Sequence, residues 1–180
     1  MAAPRIITLS GLPGTGTSTA CSTLCKGLGW AYVNAGEIFR QLARESGLDL
    51  ADFDRRAEAD GRIDRQLDER MMARARAQAP IVVEGRLTGW MAHCHGLEAL
   101  KIWLEAALEV RVARVAHREG KSEQEAQDEM LVRQESEARR YEEFHGIRIG
   151  DLSIYDLVLD TGHIDSEAVV AQVLERLRAQ

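Results

Sequence analysis

Three glycines, Gly11, Gly14 and Gly16, run directly into Thr17, Ser18 and Thr19 in the stretch TLSGLPGTGTSTACSTL. The chemistry these residues suit is the holding of an anion. Glycine permits backbone conformations that aim several amides inward at one charge. A helix starting at Ser18 adds the positive end of its dipole. The Ser18 hydroxyl is placed to ligate Mg²⁺, and Thr19 can bond a phosphate oxygen. The pattern G-x-x-x-x-G-K-[ST] is met from Gly11 to Ser18 at each defined position but one, where Thr17 stands in place of lysine.

Further candidates follow along the chain. IVVEG, Ile81 to Gly85, reads as a buried strand ending in a carboxylate. Glu84 could hold Mg²⁺ through water at the carboxyl edge of a sheet, or merely cap the turn. Arg86 follows at once, and Arg40 lies in the helix after the second strand; both can reach a phosphate in the same crevice. Arg111, Arg114 and Arg118 form a helical stripe beside the apolar stripe Leu108, Val112 and Val115. Arg133, Ser136, Glu137 and Arg140 share another face, an array of cations with one carboxylate between them.

Short apolar runs alternating with helical patterns must position these groups, which is the order of a parallel α/β sheet. RIITLS, AYVNA, PIVVE, LKIWLE and YDLVLD are the five expected strands. Helices are expected at about 18–28, 36–46, 108–119 and 166–177, the last capped by Asp165 or Ser166. Two charged helical segments stand outside the alternation. From 50 to 79, with a break near Gly61, Phe53 and Ala57 and then Ile63, Leu67 and Met71 supply narrow apolar stripes. From 122 to 144 the apolar cluster is Met130, Leu131 and Val132. Such segments suit flaps that close over a ligand and exclude water, or solvated helices laced with ion pairs such as Glu135 with Arg139.

Composition narrows the classes. A chain of 180 residues, 45% hydrophobic, suits one domain. A net charge of −6 with no basic run argues against a nucleic-acid groove or a membrane-surface protein. Of 23 basic residues 20 are arginine, a bias that favours two-pronged recognition of phosphate or carboxylate. Cys21, Cys25 and Cys94 lack the spacing of a disulfide framework, so a cytoplasmic, reducing setting is expected. Cys21 and Cys25 read as small core residues, and His93–Cys94–His95 as a loop or helix end rather than a metal site. No apolar run reaches the roughly 18 residues of a membrane span.

GLPGTGTST, YVNAGEIFRQLA, IDRQLDER, EGRLTGWMA, LKIWLEAALEVRVARVAHREG, RQESEARRY and DLSIYDLVLDT, in that order, resemble the archaeal-type cytidylate kinases among the P-loop nucleoside monophosphate kinases. The resemblance covers nearly the whole chain. It implies a P-loop NTP-hydrolase-like α/β fold: a five-stranded parallel sheet flanked by helices, with a helical monophosphate-binding insert and a short helical lid. On this basis the core is 1–48, 80–120 and 147–180, the insert 49–79 and the lid 121–146. The implied reaction moves the γ-phosphoryl of ATP to CMP or dCMP with Mg²⁺.

The resemblance also implies roles. Gly11, Gly14, Thr15, Gly16, Thr17, Ser18 and Thr19 are expected to bind the ATP phosphates, and Ser18 and Glu84 the metal. Arg40 and Arg86 resemble the arginines that clamp the acceptor phosphate. Arg133 resembles the lid arginine that reaches phosphates during transfer. Glu137 stands at the acidic position associated with the ribose hydroxyls, and Arg140 at the basic position facing cytosine. Arg118, with Arg114, matches the start of the lid; Arg118, Arg133 and Arg140 are the expected catalytic cations. Asp64 and Asp68 fall in the insert without assigned roles. Bacterial relatives carry aspartate after the GR arginine to read the base, and Leu87 occupies that position here.

Thr17 offers a hydroxyl but no cation to the phosphates. Loss of one preorganised donor weakens a transition state by about 3 kcal/mol, on the order of a hundredfold to a thousandfold in rate. Two outcomes follow. Either one of Arg114, Arg118, Arg133 and Arg140 supplies the charge to an active kinase, or the protein is a nucleotide-binding pseudokinase that regulates without turnover. Leu87 keeps open a kinase for another small acceptor, such as AMP, UMP or a non-nucleotide metabolite. A monomer is expected from the domain size and the lack of a coiled-coil seam.

Overall fold

The computed structural model describes residues 4–179. Five strands form one parallel sheet in the order β2-β3-β1-β4-β5: β1 Ile6–Gly11, β2 Ala31–Asn34, β3 Ile81–Glu84, β4 Leu100–Glu105 and β5 Leu157–Asp160. All five lie in the expected segments. β1 is central, pairing with β3 on one side and β4 on the other. The chain therefore changes direction across the sheet beside β1, and a crevice opens at the carboxyl ends of the strands.

Strand alternation sends side chains to two cores. Ile81 and Val83 of β3 and Val33 of β2 pack with Ile38 and Leu42 of α2 (Ala35–Glu45), Phe53 of α3 (Leu50–Ala59) and Met71 and Met72 of α4 (Gly61–Ala77). On the other face Val82, with Ile7 and Leu9 of β1 and Ile102 and Leu104 of β4, packs on Cys21 and Leu24 of α1 (Thr17–Leu28) and Val169 and Val173 of α8 (Ser166–Arg178). Cys21 is a core residue, while Cys25 is only partly buried. Asp165 caps α8 by accepting from the Ala168 amide.

The break in the first charged segment falls at Asp60, whose side chain accepts from the Arg62 amide and starts α4. Phe53, Ala57, Ile63 and Met71 are buried as their spacing predicts. The second charged segment is a single 23-residue helix, α7 (Glu123–His145), opened by a capping box between Ser122 and Glu125. Of the triplet Met130 to Val132 only Met130 is buried; Val132 is 71% exposed. Consecutive helical residues diverge by about 100°, so three in a row cannot share one face. Met130 and Ala126 instead join Val112, Val115 and Ala116 of α6 (Leu108–Glu119) in a small separate cluster. The other end of α7 meets α4, where a Cβ on Gly61 would lie 2.6 Å from the Phe144 ring. Only glycine admits that approach.

Residues Thr88–Cys94 form a further short helix, α5, which the sequence pattern does not announce because seven residues show too little periodicity. His93 and Cys94 close it and His95 caps it, in keeping with a helix end. Among the described residues no group of His, Cys, Asp and Glu has metal-site geometry, and no helix is long and apolar enough to cross a membrane.

Candidate active site

The crevice at the strand ends is a cleft of about 1460 Å³. Its floor is the turn from β1 into α1. Gly14 and Gly16 adopt φ of 85° and 86°, and a Cβ on Gly14 would lie 2.6 Å from the Arg111 carbonyl oxygen. Gly16 caps α1 with no side-chain bond, so the first-turn amides stay available to an anion. Arginines of α6 brace this turn from behind. Arg111 is buried and donates to the Ala106 and Pro13 carbonyls at 3.2 and 3.4 Å. Arg114 donates to the Gly14 carbonyl at 3.2 Å and to the Thr161 carbonyl at 2.6 Å, and the Thr161 hydroxyl bonds the Thr15 carbonyl at 3.0 Å. Burial first, and then the charge of Arg86, lowers the pKa of Arg111 from its ordinary value.

Glu84 ends β3 directly beside this turn. Its Oε1 accepts from Thr17 Oγ1 at 2.8 Å and Ser18 Oγ at 2.6 Å. Its Oε2 accepts from Asn34 Nδ2 at 2.6 Å and from the Tyr32 hydroxyl. The donor set fits Mg²⁺: a hydroxyl and a carboxylate meet as hard oxygen ligands, and this ion normally takes one or two protein oxygens, with water and phosphate completing its shell. Thr17, at the lysine position, thus directs its hydroxyl to the same carboxylate as Ser18.

Other side chains of the cleft are charged. Glu137 of α7 is buried between two arginines: Arg86 Nε donates to Oε2 at 2.9 Å and Arg133 Nε to Oε1 at 2.9 Å. Burial alone would raise the Glu137 pKa, but Arg86 and then Arg133 outweigh it and hold the carboxyl below its ordinary value. Arg140, also buried, pairs with Asp64 of α4 through Nε and Nη2 at 3.2 and 2.9 Å, and its Nη1 lies 3.6 Å from Asp54 of α3. Tyr141 stands between these groups, its phenol pKa raised by burial and by Glu137.

The cleft lining includes Gly14, Thr15, Gly16, Thr17, Ser18 and Thr19 together with Arg40, Arg86, Arg133, Glu137 and Arg140. Gly11 lies beneath the turn, with its carbonyl 3.5 Å from Arg86 Nη1. The candidate cations differ in commitment. Arg114 is bonded to the turn, Arg140 to Asp64, and Arg118 to its neighbour Glu119. The Arg133 side chain is 68% exposed, and among the described residues only its Nε is bonded. Arg40 is exposed at the cleft wall. Asp68 lies behind Asp64, in a recess of about 30 Å³ lined also by Arg86, Leu87 and Tyr141. Tyr32, Asn34 and Thr161 were not legible as site residues. Asn34 alone carried a signal, as an N-cap candidate before an apolar-periodic run.

Residues 6–163 match the cytidylate kinase-like family. The chain belongs to that family. A cytidylate kinase of Halobacterium salinarum is 43% identical over 174 residues, covering 97% of this chain and 90% of the relative. One of Pyrococcus abyssi is 46% identical over 168 residues, covering 93% and 91%. A shikimate kinase structure from Bacteroides thetaiotaomicron superposes with a TM-score of 0.62 at 15% identity, over 96% of this chain and 98% of that one. Such a likeness supports the P-loop kinase fold. Membership of the family makes the protein a nucleoside monophosphate kinase.

Proposed function

We propose that the protein transfers the γ-phosphoryl group of ATP to CMP or dCMP. The observation that carries this reading is that the Gly14–Thr19 turn and the Arg86–Glu137–Arg133 array line one and the same cleft. The turn amides and the start of α1 hold the donor phosphates, with Ser18 and Glu84 receiving Mg²⁺. The metal neutralises charge on the donor phosphates when bound. Arg40 and Arg86 hold the acceptor phosphate so that one of its oxygens attacks the γ-phosphorus while the bond to the bridging oxygen of the β-phosphate breaks. Glu137 faces the ribose and Arg140 the base. Residues 49–79 act as the acceptor-binding insert and 121–146 as the lid.

Arg133 is the cation best suited to the task of the absent lysine, because its terminal nitrogens are free to meet the migrating charge while Glu137 holds Nε. Steady-state assays with ATP, Mg²⁺ and a panel of CMP, dCMP, UMP and AMP test the proposal. CMP turnover in the wild type, falling a hundredfold or more in Arg133→Ala, is expected. Transfer to none of the acceptors overturns it.

One observation favours a second reading. The Thr17 hydroxyl is engaged with Glu84, leaving no side-chain cation within the turn, as a nucleotide-binding regulator without turnover would have. Tight ATP binding with no transfer to any acceptor would support that reading.

A further inference from the structure

The carboxylate of Glu84 is divided between two jobs. Its Oε1 faces the hydroxyls of Thr17 and Ser18, while its Oε2 is taken from the opposite side by β2. The division follows from the sheet. β2 and β3 are parallel neighbours, with Tyr32 beside Val82 and Asn34 beside Glu84. Val33, Ile81 and Val83 fill the core on the α2 side, so alternation sends Tyr32, Asn34, Val82 and Glu84 to the α1 side, where Val82 packs. There the Tyr32 hydroxyl and Asn34 Nδ2 both reach Oε2, and Nδ2 also lies 3.3 Å from the Tyr32 oxygen.

A carboxylate at a strand end can rotate about its last torsion. Here rotation would break two bonds to Oε2, so Oε1 is fixed toward the turn. Asn34 is in turn fixed at its other end, because its Oδ1 accepts from the Glu37 amide at 3.1 Å and caps α2.

We propose that Tyr32, with Asn34, is a positioning residue that holds Glu84 Oε1 beside Ser18 to receive the divalent cation accompanying the donor triphosphate. The inference rests on the assignment of Ser18 and Glu84 as the metal-binding pair. Hydrogen-bonded partners of metal-ligating carboxylates typically change metal affinity by 10–100-fold when removed. Tyr32 is 39% exposed, and Tyr32→Phe keeps the ring while deleting only the donor.

The test uses Mn²⁺ as the probe, titrated by electron paramagnetic resonance into the full-length protein saturated with a non-hydrolysable ATP analogue. Calorimetry measures the affinity for the analogue in EDTA. Tyr32→Phe is expected to weaken Mn²⁺ binding about tenfold or more while the metal-free analogue binds as in the wild type. Mn²⁺ affinity within twofold of wild type overturns the proposal. So does an equal loss of metal-free analogue binding, which would make Tyr32 a general support of the turn. Glu84→Gln separates the two levels of argument. If it leaves Mn²⁺ affinity untouched, the metal assignment fails and the inference with it; if it removes Mn²⁺ binding while Tyr32→Phe does not, only the inference fails.

Discussion

The two walls of the cleft are made of different materials. The turn proposed to hold the donor is backbone and neutral hydroxyl, with the Glu84 carboxylate beside it, and it stands on the ends of β1 and β3. The proposed acceptor wall is a set of ion pairs contributed largely by α3, α4 and α7, helices that lie outside the regular strand and helix alternation. A rigid sheet end can present amides that are already oriented, so the donor wall needs little charge. α3 and α4 enter the core through Phe53, Met71 and Met72, but the carboxylates and guanidinium groups that they and α7 bury at the cleft must satisfy one another. Fixed geometry on one side and compensated charge on the other make the walls respond differently to substitution.

Substitution in the acceptor wall should have the largest effect. Arg86 is both a partner of Glu137 and a proposed phosphate clamp, so Arg86→Ala should lower kcat/KM for CMP by about a hundredfold to a thousandfold, as loss of one preorganised donor does. The KM for ATP should change little. Equal movement of both KM values in steady-state assays would break the division between the walls.

Arg140 tests the compensation itself. Arg140→Ala leaves Asp64 buried without its partner, a loss of about 3 kcal/mol in stability. Replacing both residues, as Asp64→Leu with Arg140→Met, should restore most of it, because an apolar pair of similar volume avoids the cost of desolvating charge. Urea unfolding midpoints of the single and double variants measure this. A double variant no more stable than the single would show that the pair holds the helices by something other than mutual compensation.

Thr17→Lys sharpens the donor side and should have a smaller effect. The turn's conformation is carried by glycines and by Arg111 and Arg114, so the fold should tolerate lysine. An added ammonium should tighten ATP by about tenfold, the factor that corresponds to roughly 1.4 kcal/mol, measured by calorimetry. If turnover in Arg133→Ala is rescued by Thr17→Lys, the two cations serve the same charge.

What the sequence reveals follows the same division. The donor wall is legible because its constraints are local. A strand, closely spaced glycines and a hydroxyl at the helix start lie within one short run, and Glu84 is marked by the end of an apolar strand. The five strands are legible for the same reason. Arg86, Glu137 and Arg140 could be proposed as site residues, but not their pairing: Arg140 meets Asp64 across 76 positions of chain. Tyr32 is not marked in the sequence, because its contact with Glu84 depends on strand order, β2 lying beside β3, which no spacing within AYVNA encodes. The exposure of Val132 follows from the docking of α7 on α6 by Met130 and Ala126, a choice between helix faces that a mostly charged segment leaves open.

A pH-dependent contrast concerns Asp68, a buried carboxyl that its neighbours leave uncompensated. Its Oδ2 is buried without a hydrogen bond among the described residues. His145 Nε2 stands 3.4 Å from that oxygen, but burial lowers the His145 pKa and favours the neutral ring. Burial first, then the charges of Asp64 and Glu69, pushes the Asp68 pKa up to about 8. The folded protein therefore keeps a proton that the unfolded chain releases above its ordinary value of 3.8. Between those values the folded state binds more protons than the unfolded state, so stability from this group falls as pH rises and levels off above about 8. Asp68→Asn removes the titration and keeps the shape. Its urea midpoint should match the wild type most closely near pH 4 and exceed it increasingly toward pH 8.5. Parallel pH profiles for the two proteins would show that Asp68 is ionised in the fold, and that its neighbours do compensate its charge.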